Sequence, residues 1–186
     1  MAYLAVSFFC CSIRHDTVGE ARIIGYICYS KLIYSMKIGE IMPSFAVNDQ
    51  DGNLVRSEDL LGKGRKIVLY TYPKDSTSGC TAEACSFRDH YGEINDAGYI
   101  LIGISKDSEK SHTNFRTRYE LPFSLLADTD TALLQALGAW GEKKMYGKTC
   151  FGTLRKTYVF SEDGILERII EKVDTKNAAS QLLGSE

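Results

Sequence analysis

Two short apolar runs constrain the fold of this chain more than any other feature. They are Lys66–Tyr72 and Tyr99–Ser105, and neither shows the polar alternation of a strand that faces water on one side. Strands of this kind are buried on both faces of a sheet. The residues between them predict a helix from about Cys80 to Ala97, which Gly98 would end. A strand, a crossover helix and a second strand predict an α/β sheet with helices on both faces.

The remaining pattern adds further strands and helices on either side of this unit. Before this unit we expect a hairpin of Phe45–Val47 and Leu54–Arg56, followed by a turn capped by Ser57. After it we expect a helix over Ser108–Tyr119, a short strand at Phe123–Ala127, a short helix over Thr131–Leu137 and a polar loop at Trp140–Lys148. The chain would then form a hairpin of Arg155–Phe160 and Ile165–Val173 and a last helix that is capped by Thr175 and reaches Leu183. This order predicts a thioredoxin-like fold, in which helices flank a central mixed sheet and a hairpin is added at the N-terminal side.

The composition limits the classes of function that the chain can serve. The 186 residues carry a formal net charge of -2, so a basic nucleic-acid-binding surface is not indicated. No run reaches the roughly 18 apolar residues of a membrane span. Six cysteines in a chain large enough for a hydrophobic core favour a reduced, cytoplasmic thiol protein over a disulfide framework.

The first 35 residues differ in pattern from the rest of the chain. The segment 36–40 (MKIGE) resembles the start of a compact domain. We predict that residues 36–186 form one domain and that residues 1–35 are an extension outside it, which an upstream start codon would produce. Two alternatives stay open: residues 1–35 are a targeting segment, which would make the protein organellar, or they are an integral structural element.

A cysteine lies at the start of the helix that is predicted after the first apolar strand. Cys80 would lie in the first turn, where unpaired backbone N–H groups and the helix dipole stabilise a thiolate over a thiol. The thiolate is the nucleophile of sulfur chemistry, although most free cysteines are simply small buried hydrophobic residues. The small and polar residues 75–81 around Cys80 favour the reactive role.

A second cysteine, Cys85, follows five residues later, and the Cys-x-x-Cys motif of thioredoxin-type exchange is absent. On an intact helix this spacing separates the two Cα atoms by about 8–9 Å, whereas a disulfide needs less than about 7 Å. A bond between the sulfurs of Cys80 and Cys85 therefore requires the helix to unwind locally. The alternative is that Cys85 is an unrelated core residue.

Several segments resemble the peroxiredoxin family. The spacing Pro73-x-x-x-Thr77-x-x-Cys80 is similar to its active-site signature, and residues 77–89 (TSGCTAEACSFRD) resemble the bacterioferritin comigratory protein (Q-type) subgroup. Other similar segments are Ile102–Ser105, Leu121–Phe123 and Trp140–Lys148. The resemblance covers residues from about 36 to 183, which is nearly the whole predicted domain.

The resemblance implies a role for each of four residues. Cys80 would be the peroxidatic cysteine, which attacks the O–O bond of a hydroperoxide and becomes a sulfenic acid. Thr77 would hydrogen-bond the thiolate and the peroxide, or serve as a simple N-cap, and Pro73 would shield the thiolate and shape the loop. Arg155 would hold the thiolate and polarise the peroxide. Ser78, where the subgroup commonly has proline, loosens the loop without removing a chemical group.

The same resemblance implies how the enzyme would be regenerated. Cys85 would be the resolving cysteine, which condenses with the sulfenic acid to an intramolecular disulfide. Thioredoxin or a similar dithiol protein would reduce that disulfide, and no metal, haem or flavin cofactor would take part. Glu83 and Arg88 would order the start of the helix, whereas Cys150 has no implied role. Because both reacting cysteines lie in one chain, we expect a monomer.

Other classes of function have less support in the residues. His15, His90 and His112 lack the spacing of metal ligands, and no dinucleotide fingerprint or phosphate loop is present. A redox-regulated binding protein that uses the same disulfide switch stays open as an alternative, whereas a disulfide oxidoreductase is disfavoured by the missing Cys-x-x-Cys motif. The leading prediction is a thiol peroxidase that reduces hydrogen peroxide and organic hydroperoxides.

Overall fold

The computed structural model describes residues 35–145 and 148–184, so that the predicted extension over residues 1–35 lies almost wholly outside the described part. The strands are β1 (Ala46–Asn48), β2 (Leu54–Arg56), β3 (Lys66–Thr71), β4 (Tyr99–Ser105), β5 (Ser124–Ala127), β6 (Trp140–Met145), β7 (Lys148–Thr153), β8 (Lys156–Phe160) and β9 (Leu166–Ile170). The helices are α1 (Ser78–Asp89), α2 (Tyr91–Asp96), α3 (Glu109–Tyr119), α4 (Ala132–Ala136) and α5 (Ala178–Leu183), with a 3₁₀ turn at Ser57–Leu60. None of the helices in these two ranges has the length and apolar character to cross a membrane.

A five-stranded mixed sheet forms the centre of the fold, in the order β5-β4-β3-β8-β9. β3, β4 and β5 run parallel, and helices connect them, because a parallel neighbour can be reached only by a crossover. β8 pairs antiparallel with β3, and β9 pairs antiparallel with β8. The turn of this last hairpin uses Gly164 at a φ of +79°, which glycine adopts without strain.

Residues of the central strand β3 alternate between two separate cores. Ile67 and Leu69 belong to a cluster on one face of the sheet, whereas Val68 and Tyr70 belong to a cluster on the other face. All four side chains are at most 1% exposed, which explains why the sequence shows no polar alternation here. Burying one such aliphatic side chain contributes about 1.5–3 kcal/mol to the stability of the fold.

Different elements cover the two faces of the sheet. The cluster that includes Tyr70 is covered by α1, α2, α3 and α5, whose core residues include Phe87, Ile94, Phe115 and Leu182. The opposite cluster is covered by α4 and by the N-terminal segment with the β1–β2 hairpin, through residues that include Met42, Phe45 and Leu134. The predicted thioredoxin-like fold, with a central mixed sheet, flanking helices and an added N-terminal hairpin, is confirmed.

The single helix predicted over Cys80–Ala97 is wrong, because the chain forms two helices that meet at His90. The backbone of His90 has a φ of -111° and a ψ of 18°, and its amide donates to the carbonyl of Arg88. His90 Nδ1 lies 3.0 Å from the carbonyl oxygen of Ser86. That carbonyl is the one that the His90 amide would use in a continuous helix, so the imidazole ring competes with the backbone and ends α1.

The polar loop predicted over Trp140–Lys148 is also wrong, because β6 and β7 form a separate antiparallel pair in this region. Gly141 lies opposite Gly152, and Lys143 lies opposite Cys150. These strands alternate charged, small and polar residues, so they lack the apolar face by which a sequence pattern reveals a strand. The hairpin is recognised only in the structure, from the antiparallel pairing of its two strands.

Two predicted helix caps are wrong as well. Ser57 is the first residue of the 3₁₀ turn rather than its cap, and its hydroxyl accepts a hydrogen bond from the amide of Phe45 over 3.2 Å. Thr175 does not cap the last helix, which begins three residues later at Ala178. The Asp174 carboxylate accepts the amide of residue 176 over 3.0 Å and holds the intervening residues in a turn.

Candidate active site

Cys80 lies where the central strand leads into the first helix. It is the third residue of α1, beyond the C-terminal end of β3, where open α/β sheets place their ligand sites. The side chain is 1% exposed and belongs to the same core cluster as Tyr70. The first turn of a helix has backbone N–H groups without helical partners, so a negative charge at this location is stabilised.

The segment between β3 and α1 contains the other two predicted loop residues. Pro73 is half-buried, whereas Thr77 is exposed and holds the N-cap position of α1 with a φ of -81° and a ψ of 151°. The Thr77 hydroxyl donates to the carbonyl of Lys74 over 3.1 Å and makes no capping hydrogen bond. Thr77 therefore starts the helix through its backbone, while its side chain stays beside the loop that precedes Cys80.

Arg155 reaches Cys80 from a distant part of the chain. It immediately precedes β8, whose antiparallel register sets Lys156 opposite Thr71 at the end of β3. The guanidinium nitrogen Nη2 donates to Cys80 Sγ over 3.2 Å. Burial would lower the pKa of Arg155, but the charges of Glu83 and Cys80 outweigh burial and raise it. The structure thus places a permanently charged guanidinium against the cysteine, at the position that the family resemblance implied for Arg155.

Thr71 holds the backbone on both sides of Arg155. Its buried hydroxyl donates to the carbonyl of Leu154 over 2.8 Å and accepts from the amide of Lys156 over 3.2 Å. β3 therefore positions both partners of the site: it leads directly toward Cys80, and it holds Arg155 through Thr71. Sequence reasoning missed Thr71, because a threonine in an apolar run is an ordinary strand residue.

Glu83 supports Arg155 from the next turn of α1. It is fully buried, and its Oε2 forms an ion pair with Arg155 Nη1. The second carboxylate oxygen, Oε1, has no hydrogen-bond partner among the residues that the structure describes. Burial raises the pKa of Glu83 to about 7, although the charge and hydrogen bond of Arg155 act to lower it. The two terminal nitrogens of the guanidinium are thus held by one sulfur and one carboxylate.

The raised pKa of Glu83 predicts a pH-dependent stability. A carboxyl group whose pKa rises from 4.5 to about 7 on folding stabilises the native state below pH 4.5, and this contribution is lost as the pH rises to 7. The loss is about 3 kcal/mol, since each pKa unit corresponds to about 1.4 kcal/mol. Glu83→Gln is expected to remove this dependence. Urea unfolding should show that the free energy of unfolding of the wild type falls relative to the variant over this pH range.

A matched control separates this effect from general titration of the surface. Glu93 on α2 is exposed, so Glu93→Gln should leave the slope of stability against pH unchanged. If the curves for the wild type and Glu83→Gln run parallel from pH 4.5 to 7, the pKa of Glu83 is not raised.

The two cysteines of the predicted disulfide are free thiols on one unbroken helix. Cys85 is half-buried, whereas Cys80 is buried. Five helical residues separate their Cα atoms by about 8–9 Å, and disulfides require less than about 7 Å. The structure therefore represents the reduced form, from which a bond between these two sulfurs can form only after α1 unwinds in part.

Other candidates from the sequence lie apart from the thiol. Arg88 donates to the carbonyl of Tyr119 over 2.9 Å and pairs with Asp89, so it fastens α1 to the end of α3. Cys150 lies on β7, with its sulfur 3.6 Å from the carbonyl oxygen of Lys143. Within residues 35–145 and 148–184, no group of three histidine, cysteine, aspartate or glutamate residues could hold a metal ion.

The fold and this arrangement define a thioredoxin-like protein with a buried, arginine-bound thiol. Residues 38–169 match the model of the AhpC/TSA family. A putative peroxiredoxin bcp of Coxiella burnetii is 38% identical over 150 residues, which cover 81% of this chain and 98% of the relative. Peroxiredoxin Bcp of Bacillus subtilis is 37% identical over 149 residues, covering 80% of this chain and 94% of the relative.

Solved structures show the same similarity. A bacterioferritin comigratory protein of Xanthomonas campestris superposes with a TM-score of 0.70 at 34% identity, covering 76% of this chain and 88% of the other. A PrxQ variant of Xylella fastidiosa gives a TM-score of 0.75 at 25% identity, covering 82% and 96%. The chain therefore belongs to the peroxiredoxins of the AhpC/TSA family, in the Bcp or Q-type subgroup. It is a peroxidase, an enzyme that reduces peroxides.

Proposed function

We propose that Cys80 is the cysteine that reacts with the peroxide, on the basis of the 3.2 Å hydrogen bond from Arg155 Nη2 to its sulfur. The thiolate attacks one oxygen of a hydroperoxide, and the O–O bond breaks. The sulfur keeps the attacked OH group as a sulfenic acid. The other oxygen leaves with the bonding electron pair, takes up a proton and departs as water or an alcohol. The sulfur is oxidised by two electrons, and the peroxide is reduced by two.

Arg155 acts on both partners of this displacement. One guanidinium nitrogen contacts the sulfur and another is held by Glu83, so the planar group has a fixed orientation. Its charge stabilises the thiolate before the attack and the negative charge that develops on the leaving oxygen. Glu83 is the positioning residue for Arg155 in this scheme, since its contact is to the guanidinium.

Thr77 and Pro73 complete the surroundings of the sulfur. The hydroxyl of Thr77 is at the exposed start of α1 and can turn its hydrogen from the Lys74 carbonyl to a bound peroxide. Pro73 has no amide hydrogen to attract water, and its half-buried ring lies at the exit of β3, where it would shield the thiolate. These two roles follow the family resemblance together with the location of both residues in the loop.

The proposed substrates are hydrogen peroxide and organic hydroperoxides. The Cys80 side chain is 1% exposed, so a substrate must present a slender terminal O–OH group to the sulfur. Both kinds of peroxide have such a group. The Xanthomonas campestris structure, which belongs to a similar protein, is described in connection with alkyl peroxide reduction.

Cys85 then resolves the sulfenic acid. The Cys85 thiol gives up its proton, and its thiolate attacks the sulfur of Cys80. A disulfide forms, the S–O bond breaks, and the leaving hydroxide takes up a proton to become water. The first turn of α1 has to unwind for this step. Ser78 is exposed and Gly79, a poor helix former, is half-buried, so the buried side chain of Cys80 is the main packing contact that this turn gives up.

The second half of α1 is held by core packing and by a hydrogen bond to α5. Phe87 is fully buried in the core. Ser86 Oγ accepts a hydrogen bond from the amide of Ala179 over 3.2 Å, which ties α1 to α5. Local unwinding should therefore carry Cys80 toward Cys85, while Cys85 stays in place.

An external dithiol protein such as thioredoxin would return the disulfide to two thiols. Because both cysteines lie in one chain, this cycle needs no second subunit, and we propose that the enzyme acts as a monomer. Regeneration by a dithiol protein also favours a reducing compartment such as the cytoplasm.

Cys85→Ser is expected to keep the first reaction and lose the cycle. With one equivalent of hydrogen peroxide, stopped-flow measurements should show Cys80 oxidised at the wild-type rate, because the variant leaves Cys80 and Arg155 unchanged. With thioredoxin, thioredoxin reductase and NADPH, steady NADPH consumption should fall close to the background, because the sulfenic acid has lost its internal partner.

The half-buried Cys150 provides the matched control for this experiment. Cys150→Ser should consume NADPH at the wild-type rate. Peptide mapping of peroxide-oxidised wild-type protein should identify a disulfide between Cys80 and Cys85. Unchanged turnover in Cys85→Ser, or a different partner for Cys80 in the peptide map, would exclude Cys85 as the resolving thiol.

A further inference from the structure

A buried polar cluster lies beside the loop that leads to Cys80. Asp75 is 6% exposed, and His112 on α3 is 0% exposed. His112 Nδ1 lies 2.9 Å from Asp75 Oδ2, and His112 Nε2 lies 3.1 Å from the carbonyl oxygen of Leu126 on β5. The imidazole ring therefore joins the loop to a helix and to an outer strand of the sheet. Neither His112 nor Asp75 has a part in the peroxide chemistry proposed above.

The partners of His112 determine how many hydrogens its ring carries. A carboxylate and a backbone carbonyl can only accept hydrogen bonds. Each ring nitrogen must then supply a hydrogen, and only the imidazolium form has two. A cation at a fully buried position requires an opposite charge in contact with it. The carboxylate of Asp75 provides that charge.

The Asp75 carboxylate is surrounded by donors on both oxygens. Tyr72 Oη donates to Oδ1 over 2.8 Å, and Ser111 Oγ donates to Oδ2 over 2.6 Å. Burial alone would raise the pKa of Asp75, but the hydrogen bonds of His112, Ser111 and Tyr72 and the charge of His112 outweigh burial and lower it. Other titratable groups near the pair are Tyr72, after β3, whose hydroxyl contacts Asp75, Tyr70 on β3, and Asp107, after β4, which accepts the amide of Asp75.

The same cluster holds the backbone of the loop. The amide of Asp75 donates to Asp107 Oδ2 over 2.8 Å. The next residue, Ser76, has a φ of +57°, a left-handed conformation that persists in a non-glycine residue only where its surroundings impose it. Residues 76–78 are exposed, and Cys80 follows. Asp75 is thus the last firmly held point before the turn that contains the reactive sulfur.

We propose that His112 is a positioning residue for peroxide reduction: as a buried imidazolium paired with Asp75, it holds the loop that presents Thr77 and Cys80. This inference rests on the proposed role of Cys80. Without the pair, the left-handed turn at Ser76 would relax, and the first turn of α1 would shift relative to Arg155. A misplacement of about 1 Å in a catalytic arrangement lowers rates by as much as about 10²-fold.

The protonation state of His112 can be measured directly in the wild-type protein. In full-length protein labelled with nitrogen-15 histidine at neutral pH, both ring nitrogens of His112 are expected to show the shifts and couplings of N–H groups. The chain has three histidines, and the signal that is missing in His112→Gln belongs to His112. A ring with only one protonated nitrogen would mean a neutral pair and would overturn the proposal. The protonation of the ring is read in the folded wild-type protein, and the variant serves only to assign the signal.

Kinetics test the positioning role. His112→Gln and Asp75→Asn are each expected to slow the oxidation of Cys80 by one equivalent of hydrogen peroxide by roughly 10-fold to 100-fold. The double variant should lose no more than the slower single variant, because each substitution removes the same pair. His90→Gln, at the junction of α1 and α2, is the matched histidine control and should react at the wild-type rate.

The outcomes separate this proposal from the role of Cys80. A His112→Gln protein that is folded by circular dichroism and reacts at the wild-type rate would overturn the positioning role, while Cys80 would remain the reactive thiol. Peroxide reduction by a Cys80→Ser protein would instead overturn the proposed function itself. Slower oxidation in both His112→Gln and Asp75→Asn, with His90→Gln unchanged, supports the proposal.

Discussion

Cys80→Ser is expected to abolish peroxide reduction. A serine hydroxyl is not ionised near neutral pH, so it offers no anionic nucleophile to the O–O bond. The site is 1% exposed and serine is nearly the same size as cysteine, so the variant should keep the fold. In the assay with thioredoxin, thioredoxin reductase and NADPH, its rate should equal that of the mixture without the enzyme.

Mass spectrometry gives an independent reading of the same substitution. After one equivalent of hydrogen peroxide, the wild type should lose two hydrogens as its disulfide forms, whereas Cys80→Ser should keep its mass. Cys150→Ser should behave as the wild type in both assays. Turnover above background in a folded Cys80→Ser protein would remove Cys80 from the reaction.

Arg155→Ala is expected to lower the rate constant for Cys80 oxidation by about 10²–10³-fold, which is typical for the loss of one aimed donor to a developing negative charge. The substitution removes the guanidinium that lies 3.2 Å from the sulfur. Alkylation of Cys80 by iodoacetamide should slow as well, because the same donor stabilises the thiolate. Stopped-flow oxidation and timed alkylation measure the two effects separately.

Arg155→Ala also leaves the buried Glu83 without its partner, and breaking a buried ion pair by removing one member destabilises a protein by about 3–5 kcal/mol. The double variant Arg155→Ala/Glu83→Gln removes the unpaired carboxyl group. It should recover stability and remain as slow as Arg155→Ala, if the missing donor is the cause of the lost rate. Recovery of the rate in the double variant would show that the buried carboxylate, and not the guanidinium, had controlled the reaction.

Two further substitutions complete this series. Arg155→Lys keeps the charge but loses the planar fork that spans the sulfur and the carboxylate, so its rate should lie between those of the wild type and Arg155→Ala. Arg56 has a side chain that is 49% exposed, and Arg56→Ala should react at the wild-type rate. A wild-type rate in Arg155→Ala would exclude Arg155 from the site.

The central strands β3 and β4 could be predicted because strands buried on both faces consist almost wholly of apolar residues. β3 and β4 are apolar on both faces, since helices cover one side of the sheet and α4 with the N-terminal segment covers the other. The β6–β7 hairpin has no such apolar pattern, because most of its residues are charged, polar or small. The break at His90 was missed for a related reason: a side chain that competes for one carbonyl does not alter the hydrophobic pattern.

The candidate site was only partly predictable from local pattern. The position of Cys80 followed from a strand, a short polar loop and a helix start, which are neighbours in the chain. Arg155 was proposed from family resemblance alone, and nothing in its own segment distinguished it from a surface arginine. The contact of Glu83 with Arg155 and the pairing of Asp75 with His112 were not predicted, since each joins different elements.

The amino-acid pattern was sufficient for the buried strands, the helix that starts near Cys80, and the spacing that keeps Cys80 and Cys85 apart on an intact helix. The meeting of distant side chains came from the tertiary fold alone. Antiparallel pairing of β8 with β3 brings Arg155 to a sulfur 75 residues away, and packing of α3 brings His112 to Asp75. A local pattern reports how deeply its own residues are buried, whereas a contact across the sheet depends on register and packing between separate elements.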